Sequence, residues 1–390
     1  MRPAVHGRGA HRNLSCIRIP RYFPAFERID VTKGSSLRRG GLLACALAGL
    51  FLLPGTGFAE VPPGGWQSIH NVDHPLVGRI WSLRENREVS AKELVDSLAG
   101  ANSVLLGEIH DNPDHHSLQA WAIRQLLDRG GRPAVVFEMV PQDLAGTLAA
   151  YLKRSRRNPA DLGKVLEWNE RGWPDWKIYQ PIAEVALAAN LPIKAGDVAR
   201  DLQRQVGQKG IKAVSPGDRE RLMMDRPLEP AAEEGLLETL HAGHCGMMPK
   251  EALRPMLGVQ RLRDAVMADT VLLESAEQLG SVLIAGAGHV RRDWAVPWYL
   301  AKRAPKLRVR SLAFIEAMAD KPAVTDYLDA EADGVGTDRP IYDFVWFTPR
   351  ATLVDHCAQL RERFRKRQEE RQSEEKAQEK GDAVVEDTEQ

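Results

Sequence analysis

Two histidines stand three residues after a glycine that closes an apolar run, in Gly107-Glu108-Ile109-His110 and in Gly286-Ala287-Gly288-His289. A third apolar run, Val135–Phe137, leads straight into Glu138, and a fourth, Ile193–Ala195, into Gly196-Asp197. His110, Glu138 and His289 have the composition of a two-histidine, one-carboxylate metal site with open positions, suited to zinc, manganese or iron(II). Glu108 would then act as general base on a bound water, the arrangement of a metal-dependent hydrolase. Any one of these side chains could equally cap a helix or close a buried hydrogen bond. Four successive apolar runs ending in acid or imidazole are what point to one shared site. A glycine at the end of a run lets the chain turn sharply and present the histidine three residues on.

Other residues suit a flat or soft ligand. Trp168, Trp173, Trp176 and Tyr179 fall within twelve residues and could floor a planar apolar molecule, or simply fill a core. Arg291 and Arg292 could clamp carboxylates bidentately. His241-Ala242-Gly243-His244-Cys245-Gly246-Met247-Met248 offers imidazole and sulfur in a glycine-broken turn, which suits iron or haem as well as a plain helix end. Asp114, after Asn112-Pro113, is placed to cap the helix that follows.

The elements that must position these groups read as α/β, a mostly parallel sheet with helices on both faces and an inserted small helical cap domain. Ser103–Leu106, Ala134–Phe137, Leu191–Ala195, Ser281–Ala285 and Val309–Ile315 are short, apolar and separated by helical patterns, the mark of buried parallel strands. In such sheets ligands sit beyond the carboxyl ends of the strands, where the acids and histidines lie. From about 200 to 277 the strand signal vanishes. Helices are expected there at Asp218–Met224, Ala231–His241, Lys250–Met256 and Val259–Ala276. The chain of 390 residues carries 53 basic and 53 acidic side chains, and this neutral balance argues against general nucleic-acid binding.

The ends of the chain differ from the body. Gly41–Ala59 is apolar, follows Arg38-Arg39 and ends in small residues, so residues 1–59 read as an extension and secretory signal cleaved before Glu60, giving a periplasmic or envelope protein. Leu42-Leu43-Ala44-Cys45 is a poor lipoprotein box, which disfavours lipid anchoring at Cys45. Residues 361–390 hold 18 charged side chains and read as an unstructured, solvated tail with at most a frayed helix at its start. With the signal removed, Cys245 and Cys357 are the cysteines left, and an oxidising compartment permits a bond between them.

Six segments carry a resemblance: Gly107–Gln119 (GEIHDNPDHHSLQ), Val136–Met139 (VFEM), His244–Pro249 (HCGMMP), Gln260–Ala268 (QRLRDAVMA), Gly286–Pro297 (GAGHVRRDWAVP) and Val345–Arg350 (VWFTPR). In this order, across about residues 66–357, the chain resembles the ChaN-type haem-binding proteins of bacterial iron uptake. Their wider superfamily includes Tiki-type metalloproteases and erythromycin esterases. The resemblance implies a parallel α/β domain with a small helical domain, secretion or lipid anchoring, and haem held by a tyrosine. It makes haem the expected cofactor, with an outer-membrane uptake system and a second copy of the chain as expected partners. A tyrosine or histidine would hold the iron, Tyr179 being the first choice, with Trp173 and Trp176 contacting the ring, His244 in the same ligand site, and Arg291 or Arg292 answering the propionates. The metal-dependent hydrolase remains the alternative reading.

Overall fold

The computed structural model describes residues 64–275, 280–328 and 340–388, with side chains in the last helix described through residue 370. The expected signal segment, Cys45 and the cleavage point before Glu60 lie outside the described residues.

Eight strands form one sheet: β1 (Ile80–Ser82), β2 (Arg87–Val89), β3 (Ser103–Glu108), β4 (Ala134–Pro141), β5 (Ile193–Asp197), β6 (Ser281–Gly286), β7 (Val309–Glu316) and β8 (Phe344–Thr348). Their order is β2-β1-β8-β7-β3-β6-β4-β5. All pairings from β8 to β5 are parallel, and β1 runs antiparallel to both β2 and β8. The five expected strands are β3 to β7. β1 and β2 were not expected because each has only three residues and β2 (Arg87-Glu88-Val89) lacks an apolar run; this short hairpin closes one sheet edge.

Among the described residues there are eleven α-helices: α1 (Ala91–Ala99), α2 (Pro113–Asp128), α3 (Ala145–Leu152), α4 (Pro159–Val165), α5 (Trp176–Ala188), α6 (Arg200–Lys209), α7 (Pro216–Arg221), α8 (Pro230–Gly243), α9 (Lys250–Ser275), α10 (Val296–Arg303) and α11 (His356–Thr388). Successive strand residues point to opposite faces, so the central strands feed two cores. Val104, Leu106, Val135 and Phe137 pack with Leu94, Leu118, Ile123 and Ile182 from α1, α2 and α5. Leu105, Val136 and Leu283 pack with Leu262, Met267 and Tyr299 from α9 and α10. Each fully buried large apolar side chain contributes roughly 1.5–3 kcal/mol, which is why the central strands read as continuous apolar runs.

Three local expectations are corrected. The helices expected at Lys250–Met256 and Val259–Ala276 are one 26-residue helix, α9. Pro255 lies near its start, where it removes a single backbone bond, and burial of Leu253, Leu257 and Leu262 holds the helix together across it. Asn112, not Asp114, caps α2, accepting from the amides of Asp114 and His115. Asp114 instead accepts from the amides of Gln67 and Ser68 at 2.8 and 2.9 Å, which pins the incoming chain to the α2 start. Finally, the charged C-terminal segment is helical. Arg, Glu, Lys and Gln are good helix formers, and Arg365 pairs with Glu362 and Glu369 along one face. Among the described residues no helix is long and apolar enough to cross a membrane.

Candidate functional site

Glu108 ends β3 with its side chain buried, and three groups close on it. His110 Nδ1 lies 2.9 Å from Glu108 Oε1, and the Tyr179 hydroxyl donates to the same oxygen at 2.9 Å. His116 Nε2, one turn into α2, lies 3.4 Å from Glu108 Oε2 and 3.1 Å from the His110 carbonyl. The His116 and Tyr179 rings stack with centroids 3.8 Å apart, fixing α5 against α2. Of this group only His110 reaches solvent, its side chain 37% exposed and its ring edge-on to Trp173 at 5.0 Å. Burial opposes charge on His110, but the Glu108 carboxylate 2.9 Å away outweighs it and pushes the ring up to about 9.

Glu138, at the end of β4, organises the second half. Its Oε2 accepts from the Gly286 amide at 2.6 Å, while Oε1 meets Arg263 at 2.7 Å and His289 Nε2 at 3.2 Å. His289 Nδ1 lies 2.6 Å from Asp264, so both ring nitrogens donate to carboxylates and the ring is an imidazolium. Burial disfavours that charge, yet Glu138 and Asp264 raise the ring to about 10. Burial likewise favours the neutral acid at Glu138, and His289 with Arg263 overrides it, holding the carboxyl well below the usual range. Arg263 also forks onto Asp197 at the end of β5, with contacts of 2.9 to 3.1 Å. The two halves meet at Gly286, where an added Cβ would lie 3.2 Å from the His110 ring and 3.6 Å from Glu138 Oε2.

Residues 94–300 match the family described as haem-binding uptake, Tiki superfamily, ChaN. This chain belongs to the ChaN family. ChaN of Campylobacter jejuni, solved with cofacially bound haem, is 17% identical, with 68% of this chain and 95% of that one covered and a TM-score of 0.53. An erythromycin esterase in its open conformation is 14% identical over 71% of this chain and 99% of that one, with a TM-score of 0.38. No curated protein matches. The ChaN fold is therefore shared at low identity.

Within this ChaN member the expected site residues separate into two groups. Glu108, His110, Glu138 and His289 do converge at the strand ends, held by one another and by Asp264, Arg263 and a backbone amide. Among the described residues no group of three or more His, Cys, Asp or Glu is arranged to hold a metal ion. Glu108 is a partner of His110 and Tyr179.

Tyr179 is also corrected as iron ligand. It is fully buried, its proton is donated to Glu108, and burial together with that carboxylate pushes the phenol above its ordinary range. Trp176 is core, its indole N–H bonded to the Pro159 carbonyl at 2.9 Å; Trp173 is the expected ring contact that stays part-exposed. Arg291 is buried, forked onto Asp293 and stacked over Trp294 at 3.8 Å; Arg292 donates to Asp343 at 2.9 Å. Arg291 is sealed in, while Arg292 stays part-exposed and bonds Asp343 through Nη1. His244 closes α8, and its Nδ1 lies 2.7 Å from the Leu240 carbonyl, so Nδ1 donates there and Nε2 is the nitrogen outside that bond. The adjoining Cys245 is joined to Cys357, Cα to Cα 5.4 Å, tying the cap to α11.

Sequence reasoning gave no role to Gln260, Arg263 and Asp264, although Gln260–Ala268 was one of the resemblance segments. Their signal is three polar residues at i, i+3 and i+4 on a helix that is otherwise buried by apolar residues.

Proposed function

We propose that this chain is an exported haem-binding protein acting in haem and iron acquisition or storage at the cell envelope. The observation that carries the reading is the haem-uptake family match over residues 94–300, the stretch that contains every rim residue from Glu108 to His289. The residues present suit the ligand: Trp173 is a part-exposed flat surface beside His110, and His244 spends Nδ1 on the Leu240 carbonyl, which leaves Nε2 to meet a ligand. We assign the iron to His244 Nε2, because each described tyrosine near the rim has its hydroxyl buried or bonded. Haem, once bound, would supply the redox-active iron; the chain's own part is to hold the ring, fix its orientation and limit water. Cleavage before Glu60, a haem-linked homodimer and an outer-membrane uptake system belong to the same proposal.

The test is titration of the purified chain with ferric haem, followed by visible absorbance. Saturation at a fixed ratio with a shifted Soret band is expected, and His244→Ala should weaken binding at least tenfold and alter the band. Haem that stays unshifted and dialyses away from the wild-type chain would overturn the function. A normal band in His244→Ala would overturn the ligand alone.

A further inference from the structure

The cations around the strand-end rim are nearly all neutralised in place. His289 lies between Asp264 and Glu138, Arg263 between Glu138 and Asp197, Arg291 on Asp293 and Arg292 on Asp343. His110 differs. Its Nδ1 is fixed by Glu108, but no described residue accepts a hydrogen bond from its Nε2, and this is the one rim imidazole that reaches solvent. Glu108 and Glu138 are buried beside it, and Glu138 Oε2 is bound by the Gly286 amide at 2.6 Å, so the carboxylates stay inward while the His110 ring is part-exposed.

The surroundings leave room for an occupant. Gly286 forms the floor under the His110 ring, where a side chain would intrude to 3.2 Å, and nothing lies within 4 Å of the Cβ position of Gly288. Trp173 stands edge-on to His110 at 5.0 Å and is followed by Trp168 at 6.1 Å. Arg171, whose guanidinium lies 5.7 Å from the Trp168 ring, donates to backbone carbonyls and has no carboxylate within salt-bridge distance among the described residues.

We infer that His110, rather than Arg291 or Arg292, receives a carboxylate of the bound porphyrin, donating from Nε2 while Trp173 lies along the ring. This rests on the haem reading above and assigns one subsite within it. Glu108 is the positioning residue, since its bond to Nδ1 both orients the ring and keeps it a donor at Nε2.

Metal-free protoporphyrin IX and its dimethyl ester separate carboxylate recognition from iron binding, and quenching of tryptophan fluorescence reads both. The wild-type chain at pH 7 should bind the free acid at least tenfold more tightly than the ester. His110→Gln should reduce that ratio below threefold while leaving the Soret position of bound haem unchanged. A ratio kept in His110→Gln overturns the assignment, and so does a displaced Soret band, which would make His110 an iron ligand. Wild-type protein that binds haem but treats acid and ester alike sinks this inference only; failure to bind haem sinks the reading beneath it too. A pH series on the wild-type chain needs no variant. The groups facing His110 are Glu108, Glu138, His116, Tyr179 and His289, and the ring loses its proton near pH 9, so the preference for the acid should fade between pH 8 and 10. A preference constant across that range also overturns it.

Discussion

His110 and His289 share the Gly-x-x-His spacing but not the same surroundings, and the carboxylates around each decide what it can do. His289 has one acid on each nitrogen and is sealed under α9; His110 has one acid, on Nδ1, and is part-exposed. Removing His289 leaves Glu138 buried against a single cation. His289→Gln should therefore destabilise the fold by about 3–5 kcal/mol, the scale for breaking a buried charge pair, as read by chemical denaturation. The pH dependence has a definite sign. Because folding raises the His289 ring from 6.5 to about 10, its contribution is fully present below about pH 6.5 and is lost as pH rises through 10. Glu138 is depressed by folding, so its contribution is present above about pH 4.5 and disappears in acid. The wild-type Tm should fall on both sides, and His289→Gln should flatten the alkaline side between pH 7 and 10. An unchanged alkaline slope in that variant would remove His289 as its source.

At the scale of elements, the strand ends were legible in the sequence because burial on both faces makes β3, β4, β5 and β6 apolar up to the residue where the chemistry begins. What was not legible is the cap's contribution. Arg263 and Asp264 lie more than a hundred residues from Glu138, and only the fold brings α9 across the ends of β4 and β5. The two rim glycines were expected to supply a sharp turn, yet neither Gly107 nor Gly286 has a positive φ. Their role is space. A Cβ on Gly107 would lie 2.3 Å from Val290 Cγ2 and 2.9 Å from the Ala287 backbone, in the turn that carries His289. Gly107→Ala should then cost about 1–3 kcal/mol through overpacking, whereas Gly288→Ala, in open space, should cost little. Equal losses in thermal melts of the two variants would contradict this account of the spacing.

For the molecule as a whole, two cores back to back on one sheet hold residues 66–350, and α11 stands outside both. Its described side chains are exposed apart from Cys357 and Leu360, which are part-exposed. Cys245 and Cys357 are 112 residues apart, so their bond removes a long closed loop's worth of freedom from the unfolded chain. Reduction, or Cys357→Ser, should therefore lower stability by about 2–4 kcal/mol. A chain ending at Asp355 loses the same bond and the whole of α11. If the helix adds nothing to the body beyond that covalent tie, the truncated chain and Cys357→Ser should melt together, and a reducing agent should shift neither. A truncated chain melting well below Cys357→Ser would mean that α11 packs on the body in solution. Haem affinity discriminates further: His244, proposed to hold the iron, adjoins Cys245, so loss of the tie should weaken haem binding to the same extent in the truncated chain and in Cys357→Ser.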